Sequence, residues 1–150
     1  MNKRIKEYRL LFKGKRDGFG SKDFHSKCDN KSYTVSFVKS KEGRRFGGFT
    51  DVEWDQSNSH KKGSNGFIFS LDNKEIYYNK HSNYNIGCYS NCGPLFGGGA
   101  DFYISNNCDK NNDSSDNSGC SYDIKGKKYA LAGTFHFYVE DYEVYKIELE

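Results

Sequence analysis

Five cysteines carry the most versatile chemistry in this sequence, because thiolates act as nucleophiles, redox groups and zinc ligands. The last four could supply an all-thiolate zinc site, but only Cys88 and Cys92 are close in sequence and no second close pair follows. An odd number of cysteines without a secretory leader argues against a disulfide framework. We therefore predict free thiols and no structural metal. The cysteines are Cys28, Cys88, Cys92, Cys108 and Cys120.

A glycine-rich stretch, Gly93 to Ile104, holds the only proline of the chain and could form a phosphate-binding loop. Such a loop ends in Gly-Lys-Ser/Thr and leads into a helix whose N-terminus faces the anion. Here Phe102 and Ile104 instead alternate with polar positions, Asp101 among them, as in a strand with one buried face. We interpret the glycines as structural and expect no nucleotide cofactor.

The segment from Asn106 to Ser121 is rich in Asn, Asp and Ser, and we expect a surface loop there. Asp109, Asn111 and Asp113 match positions one, three and five of a calcium loop. The glycine and the bidentate glutamate that an EF-hand needs are absent, so an EF-hand is excluded, and weak calcium binding by residues 109–116 stays open.

Histidines, carboxylates and the single tryptophan complete the candidates. No histidine lies in a His-Glu-x-x-His motif, and no serine lies in a Gly-x-Ser-x-Gly elbow. Asp141 and Glu143 lie two residues apart on a predicted strand, which is more typical of surface carboxylates than of a catalytic dyad. Trp54 lies on the largely apolar face of the strand predicted over residues 46–54, and we predict that it belongs to the core. These residues support no enzymatic activity. The histidines are His25, His60, His81 and His136.

Composition favours one domain over residues 1–150, since this length suits a single core. Aromatic residues reach 17% and favour strands, while sixteen glycines supply turns. Charge is uneven, with +9 in residues 1–50 and −6 in the remainder. Such a basic first third indicates either a solvated surface or a patch for an acidic partner, nucleic acid or anionic lipid, and without a nucleic-acid motif we favour the solvated surface. No apolar run suits a membrane span, so we expect a cytoplasmic protein.

Alternation with a period of two predicts most of the secondary structure. Residues 46–54 show it best, and the Gly47-Gly48 pair within them suggests a bulge or a close backbone approach. We predict that Phe67, Phe69 and Leu71 point inward from another strand. Ser21 is predicted to cap a helix over residues 21–28. Residues 55–64 are polar and are predicted to form a loop, and residues 81–91 show little pattern. The pattern predicts a mainly β (α+β) fold, a two-sheet antiparallel β-sandwich with one or two flanking short helices.

A series of short motifs covers most of the chain in one order. They are Leu10-Leu11-Phe12, Arg16-Asp17-Gly18-Phe19, Phe24-His25, Cys28-Asp29-Asn30, Phe46-Gly47-Gly48-Phe49, Trp54, Gly66-Phe67-Ile68-Phe69-Ser70-Leu71, Gly93-Pro94-Leu95-Phe96-Gly97-Gly98-Gly99-Ala100-Asp101-Phe102-Tyr103-Ile104 and Val139-Glu140-Asp141-Tyr142-Glu143-Val144-Tyr145. This series resembles the TLDc domain family of oxidation-resistance proteins and nuclear receptor coactivator relatives, and its asparagine-rich character is similar to the protist branch.

The resemblance implies a β-sandwich with flanking helices, protection from oxidative stress, and binding to the vacuolar proton-pumping ATPase. The family has no agreed catalytic residues, so we interpret the motif residues as mainly structural and expect no cofactor. Family domains often have a longer N-terminal helix than the nine residues before Leu10 allow. The chain is therefore either a fragment of a longer protein, with a BTB or coiled-coil segment, or a minimal form.

Two functions remain open at the level of the sequence. The first is a non-catalytic protein-interaction domain, for which we favour a monomer without nucleic-acid partners. The alternative is a ligand-binding β-sandwich, for example a carbohydrate-binding module that uses exposed aromatic residues.

Overall fold

The computed structural model describes residues 3–80 and 82–150, so His81 lies outside the described residues. Strands account for 45% of the chain and helices for 10%. The strands form two antiparallel six-stranded sheets, with two short helices beside them, which confirms the predicted fold class. In chain order the elements are β1 (Ile5–Lys13), α1 (Gly14–Asp17), α2 (Ser21–Cys28), β2 (Thr34–Ser40), β3 (Arg45–Thr50), β4 (Ser59–Lys61), β5 (Gly66–Ser70), β6 (Glu75–Tyr78), a 3₁₀ turn (Ser82–Tyr84), β7 (Ile86–Cys88), β8 (Cys92–Phe96), β9 (Phe102–Ser105), β10 (Ser114–Asp116), β11 (His136–Phe137) and β12 (Val139–Leu149).

The two sheets divide the chain unevenly. The first sheet has the order β1-β12-β2-β3-β5-β6, and the second has the order β11-β10-β9-β8-β7-β4. The closing strand β12 lies between β1 and β2, so the two ends of the chain meet in the first sheet. The register of β12 shifts between Val139 and Asp141. The apolar alternation of the sequence, which runs through Phe135, Phe137 and Val139, slips at Glu140-Asp141 and predicts a bulge at this point, which the register shift confirms.

The core lies between the two sheets and consists largely of aromatic rings. Phe46 of β3 meets Phe102 of β9 with ring centroids 5.5 Å apart. Trp54 is fully buried, and its Nε1 donates a hydrogen bond of 2.9 Å to Oγ1 of Thr34. The Trp54 ring also packs edge-on against Phe96 at 5.7 Å. The predicted core position of Trp54 is confirmed.

The Gly47-Gly48 pair allows close approach on both faces of β3 rather than a bulge. The register of β3 with β2 and β5 is continuous. A Cβ added to Gly47 would lie 1.9 Å from the carbonyl oxygen of Ser36, and one added to Gly48 would lie 2.7 Å from the ring of Phe96. The first contact is with backbone, which cannot move away, so a side chain is excluded there.

The predicted phase of β5 is wrong. Ile68 is fully buried between the sheets, whereas Leu71 is 44% exposed and lies beyond the end of the strand. Phe67 and Phe69 point to the outer face, where Phe69 packs against Phe37 at 5.4 Å. Apolar residues occupy both phases of this strand, so alternation alone could not show which phase faces the core.

Two segments predicted as loops, and a third that shows little pattern in the sequence, contain strands. β4, β7 and β10 have three residues each, too few for a pattern to emerge from the sequence. In β10 the carboxylate of Asp116 is fully buried and accepts hydrogen bonds from the backbone N–H groups of Leu131 and Ala132, at 3.0 and 2.8 Å. The polar side chain in β10 therefore satisfies buried backbone N–H groups, although a polar residue in such a segment suggested an exposed position.

Helix α2 has its predicted bounds, but Gly20 rather than Ser21 is its N-cap. The carboxylate of Asp23 accepts a hydrogen bond of 3.0 Å from the backbone N–H of Gly20. His25 is buried, with Nδ1 at 2.7 Å from Asp29 and Nε2 at 2.8 Å from the carbonyl oxygen of Tyr89. These contacts join the helix to the loop before β8.

Candidate protein-binding surface

The outer face of the first sheet carries a continuous line of aromatic side chains, which we call the aromatic row. Successive ring centroids along it are 6.0, 5.9, 5.4, 6.3 and 6.1 Å apart. Five strands contribute, because antiparallel neighbours place paired residues on one face. The row consists of Tyr8, Tyr145, Phe37, Phe69, Phe67 and Tyr78.

The aromatic row is open to solvent at both ends and in its middle. Tyr8 is 70% exposed, Tyr78 is 64% exposed and Phe37 is 37% exposed. Gly47 lies between the strands that carry Phe37 and Phe69, and its missing side chain leaves the space in which these two rings meet. The surface depends on the outward phase of β5, which the sequence analysis missed.

An apolar groove of about 430 Å³ extends the aromatic row across β1, β12 and β2. Ile5 and Tyr8 line it from β1, and Tyr145 and Ile147 line it from β12. Val35 closes it from β2. The groove is shallow and largely apolar, which suits the side chains of another polypeptide.

An ion-pair network borders the aromatic row. Nζ of Lys13 donates to Asp141 at 2.6 Å and to Glu143 at 2.7 Å, and the hydroxyl of Tyr145 donates to Glu143 at 2.7 Å. The hydrogen bond from Lys13 lowers the pKa of Glu143, and the two carboxylates raise the pKa of Lys13. Both motif carboxylates therefore bind the same lysine. Carboxylates held in this way are poorly suited to donate a proton as general acids.

The glycine-rich stretch is a tight turn between β8 and β9. Gly97 has φ of 89°, and a Cβ there would lie 1.9 Å from Oδ1 of Asp101. Asp101, expected on the solvent side, is fully buried and accepts hydrogen bonds from the backbone N–H groups of Gly119, Ser121 and Tyr122 at 2.9–3.0 Å. Burial outweighs these hydrogen bonds and raises the pKa of Asp101. The backbone N–H groups beside this turn that could otherwise bind an external anion are therefore already bound to the Asp101 carboxylate.

All five cysteines are free thiols, and only Cys120 is exposed. Burial raises the pKa of Cys88 to about 11. Burial likewise raises the pKa values of Cys92 and Cys108 to about 12. The pKa values of Cys28 and Cys120 are raised as well, by burial first and then by the charges of neighbouring aspartates. None of these sites favours a thiolate.

In the described parts of the chain, the candidate metal ligands form no cluster. Among residues 3–80 and 82–150, no group of three or more His, Cys, Asp or Glu side chains could hold a metal ion. In the calcium-like segment, Oδ1 of Asn111 accepts hydrogen bonds from Ser105 and from the backbone N–H of Asp113, at 2.8 and 3.0 Å. This oxygen is therefore engaged within the protein. The prediction that the domain needs no structural metal stays a prediction.

Most motif residues that the sequence analysis singled out lie in the interior or in turns. Phe96, Tyr142 and Val144 are buried between the sheets. Gly18 has φ of 110° at the end of α1, where Arg16 and Asp17 form an ion pair of 2.8 Å. A Cβ on Gly93 would lie 3.1 Å from the hydroxyl of Tyr142, and one on Gly98 would lie 2.7 Å from the ring of Tyr84. Phe19 packs against the core, and Pro94 is buried in β8.

The fold and the placement of these motifs define a two-sheet antiparallel β protein with one aromatic outer face. The chain belongs to the TLDc domain family, whose model matches residues 1–148. A search of curated proteins finds no significant match. Within the described ranges, no helix has the length and apolar character needed to cross a lipid bilayer.

Proposed function

We propose that this chain is a non-catalytic protein-interaction domain that protects against oxidative stress by binding the vacuolar proton-pumping ATPase. The aromatic row carries the interaction role, because a folded domain rarely leaves a contiguous apolar surface open unless a partner docks there. The ATPase and the stress response are implied by membership of the TLDc family. We further propose a cytoplasmic monomer with one domain over residues 1–150.

A structural role suits the motif residues better than a catalytic one. Trp54 and Phe96 fill the core, and Gly97 permits a turn that Asp101 stabilises. Asp141 and Glu143 are already bound to Lys13. We therefore propose no catalytic residue and no cofactor.

The thiols support protection through a partner rather than through direct scavenging. Scavenging needs an accessible thiolate, and a thiol with a pKa of about 11, as at Cys88, is ionised in roughly one molecule in ten thousand at neutral pH. Cys120 is exposed, but the charge of Asp101 adds to burial in raising its pKa. No thiol in the described chain therefore has the properties of a redox sensor.

Carbohydrate binding is the alternative function, and the exposed rings of Tyr8 and Tyr78 favour it, since sugars stack on open aromatic faces. The indole of Trp54 is fully buried and cannot serve as such a platform. A glycan array separates the two functions: specific glycan binding that Tyr8→Ser and Tyr78→Ser abolish would support the alternative.

The test of the proposed function compares folded variants in cells under peroxide stress. A variant with all five cysteines changed to Ala should retain the ATPase in a native pull-down and most of the protective effect. A variant with Tyr8→Ser, Phe37→Ser and Tyr78→Ser should lose both.

The matched control changes exposed rings outside the aromatic row, Phe135→Ser and Tyr138→Ser, which are 40% and 43% exposed. It should behave like the unmodified chain. A folded cysteine-free variant that binds the ATPase but protects no better than an empty vector would replace our proposal with a thiol mechanism.

A further inference from the structure

The strand β1 presents the longest open sheet edge in the described part of the chain. It has nine residues and pairs with β12 alone. Along its other edge, backbone N–H and C=O groups are left without a strand partner. Only near the end of the strand does α1 engage backbone groups, where Arg16 donates to the carbonyl oxygen of Leu11 at 3.3 Å and Asp17 accepts from the N–H of Lys13 at 3.0 Å. The opposite edge strand, β6, has four residues, and its Tyr78 carbonyl oxygen already accepts a hydrogen bond of 3.0 Å from Asp123. In the second sheet the edge strands β11 and β4 have two and three residues.

The side chains along this edge are mostly basic. Lys3, Arg4, Lys6 and Arg9 are exposed, and Glu7 is the single acid among them. None of the four cations makes an ion pair or a side-chain hydrogen bond with another described residue. On the adjacent strand, burial lowers the pKa of Lys146, and the charge of Arg9 acts in the same direction against the opposing charge of Glu148.

Apolar surface lies directly beside the basic edge. Ile5 and Tyr8 of β1 are 58% and 70% exposed and form one wall of the apolar groove. Ile5 and Tyr8 are three residues apart and line the same groove because the register of β1 shifts between Ile5 and Glu7. A strand added next to β1 would place side chains of one of its faces against them. The remaining side chains would lie within reach of the free cations.

We propose that the β1 edge binds an extended acidic segment of a partner protein, which adds to the first sheet as a further antiparallel or parallel strand. The proposal rests on the proposed protein-interaction function and specifies its surface. Main-chain hydrogen bonds to the edge hold the segment, apolar residues at alternate positions cover Ile5 and Tyr8, and acidic residues neutralise the basic side chains.

A second copy of this chain fits the edge poorly. Two β1 strands side by side would bring Lys3, Arg4, Lys6 and Arg9 of one copy close to those of the other, and like charges across strands are destabilising. Nucleic acid would use the cations but leave the free backbone groups unpaired. An acidic polypeptide uses the edge, the groove and the charge together.

The test uses a synthetic peptide that alternates Glu with Val and is long enough to pair with residues 5–10 of β1, which precede the part of the edge that Arg16 and Asp17 engage. In an NMR titration of the labelled full chain, amide signals of β1 should shift, and hydrogen exchange of its outward amides should slow by roughly tenfold or more. A peptide of equal charge with Pro in place of Val lacks half of the N–H donors and should not bind.

Charge reversal supplies the matched comparison. Lys6→Glu with Arg9→Glu should weaken peptide binding by roughly tenfold or more. Lys110→Glu with Lys127→Glu changes the net charge equally at exposed sites away from β1 and should leave binding unchanged. Equal weakening by both pairs would reduce the effect to net charge and overturn the proposal.

Other occupants are outcomes of the same experiment. Binding of single-stranded DNA or of phosphatidylserine vesicles at β1, with no peptide binding, would overturn the proposal. Failure here is distinct from failure of the proposed function. If the ATPase co-purifies with both the unmodified chain and the Lys6/Arg9 variant, the interaction function stands and the β1 proposal falls. If nothing co-purifies, the interaction function fails, and the NMR titration alone tests whether the β1 edge binds the acidic peptide.

Discussion

At the scale of single residues, the one tryptophan is fixed in the interior by specific partners. The Trp54 indole donates to Thr34, and the ring of Phe24 packs edge-on against the indole with centroids 5.3 Å apart. Trp54 therefore links the helix α2, the strand β2 and the second sheet at one point, although it lies outside the regular strands itself.

Replacing Trp54 with Ala should lower the free energy of unfolding by about 3–5 kcal/mol, because the indole leaves a cavity and Thr34 loses its donor. Urea unfolding measures the change. The control Tyr78→Ala removes a ring that is 64% exposed and should cost less than about 1 kcal/mol. An equally small change for Trp54→Ala would mean that the indole is accessible and would revive the ligand-platform interpretation.

The ion pair between Asp55 and Lys61 predicts a pH dependence. Burial alone would raise the pKa of Asp55, but the hydrogen bond from Lys61 and those from Ser57 outweigh it and hold the pKa at about 2. Because this value lies below that of the unfolded chain, the native state binds fewer protons. The stabilisation is full above about pH 4 and is largely lost as the pH falls to about 2.

Asp55→Asn should therefore lower stability by about 1–2 kcal/mol at neutral pH and by much less near pH 2, where about half of the native carboxyl groups are protonated. Urea unfolding at a series of pH values measures the difference, with exposed Asp113→Asn as the control that should change little at any pH. A difference between Asp55→Asn and the unmodified chain that stays constant down to pH 2 would contradict the assignment.

At the scale of elements, short polar strands are stabilised by carboxylates that accept backbone hydrogen bonds. Asp101 holds the segment around Ser121, and Asp116 holds the segment around Leu131. These two aspartates organise the long connection between β9 and β11 that composition alone would assign to the surface. The turn that presents Asp101 depends in turn on Gly97.

Gly97→Ala should cost about 3 kcal/mol or more, since its φ of 89° is unfavourable and its Cβ would overlap the Asp101 carboxylate. Asp101→Ala should also destabilise, because three backbone N–H groups lose their acceptor. The double variant lacks the overlap, so its cost should fall clearly below the sum of the two. Thermal and urea unfolding complete the cycle. Additivity to within about 0.5 kcal/mol would show that the two positions do not interact.

At the scale of the whole molecule, a large aromatic core and one uncovered sheet face coexist. Rings from both sheets pack together in the interior, as Phe46 of β3 and Phe102 of β9 do at 5.5 Å, while the aromatic row remains outside. We expect a core of this size to fold without a metal, as the scattered cysteines also predict.

Treatment with a strong chelator should therefore leave the melting temperature unchanged. Calorimetry with and without EDTA measures this, and elemental analysis of the untreated protein provides the independent check. A stoichiometric zinc content, or a melting temperature that falls on chelation, would contradict the prediction and return attention to Cys88 and Cys92.

The sequence by itself determined the mainly β class, the bounds of α2, the burial of Trp54 and the TLDc resemblance. These follow from local periodicity, turn chemistry and motif order, which neighbouring residues encode directly. Only the tertiary structure decided which face of β5 turns inward, because Phe67, Ile68 and Phe69 are apolar in both phases. It also decided that polar β10 is buried and that β1 is an open edge. Burial and pairing depend on partners distant in the chain, and local patterns do not identify those partners.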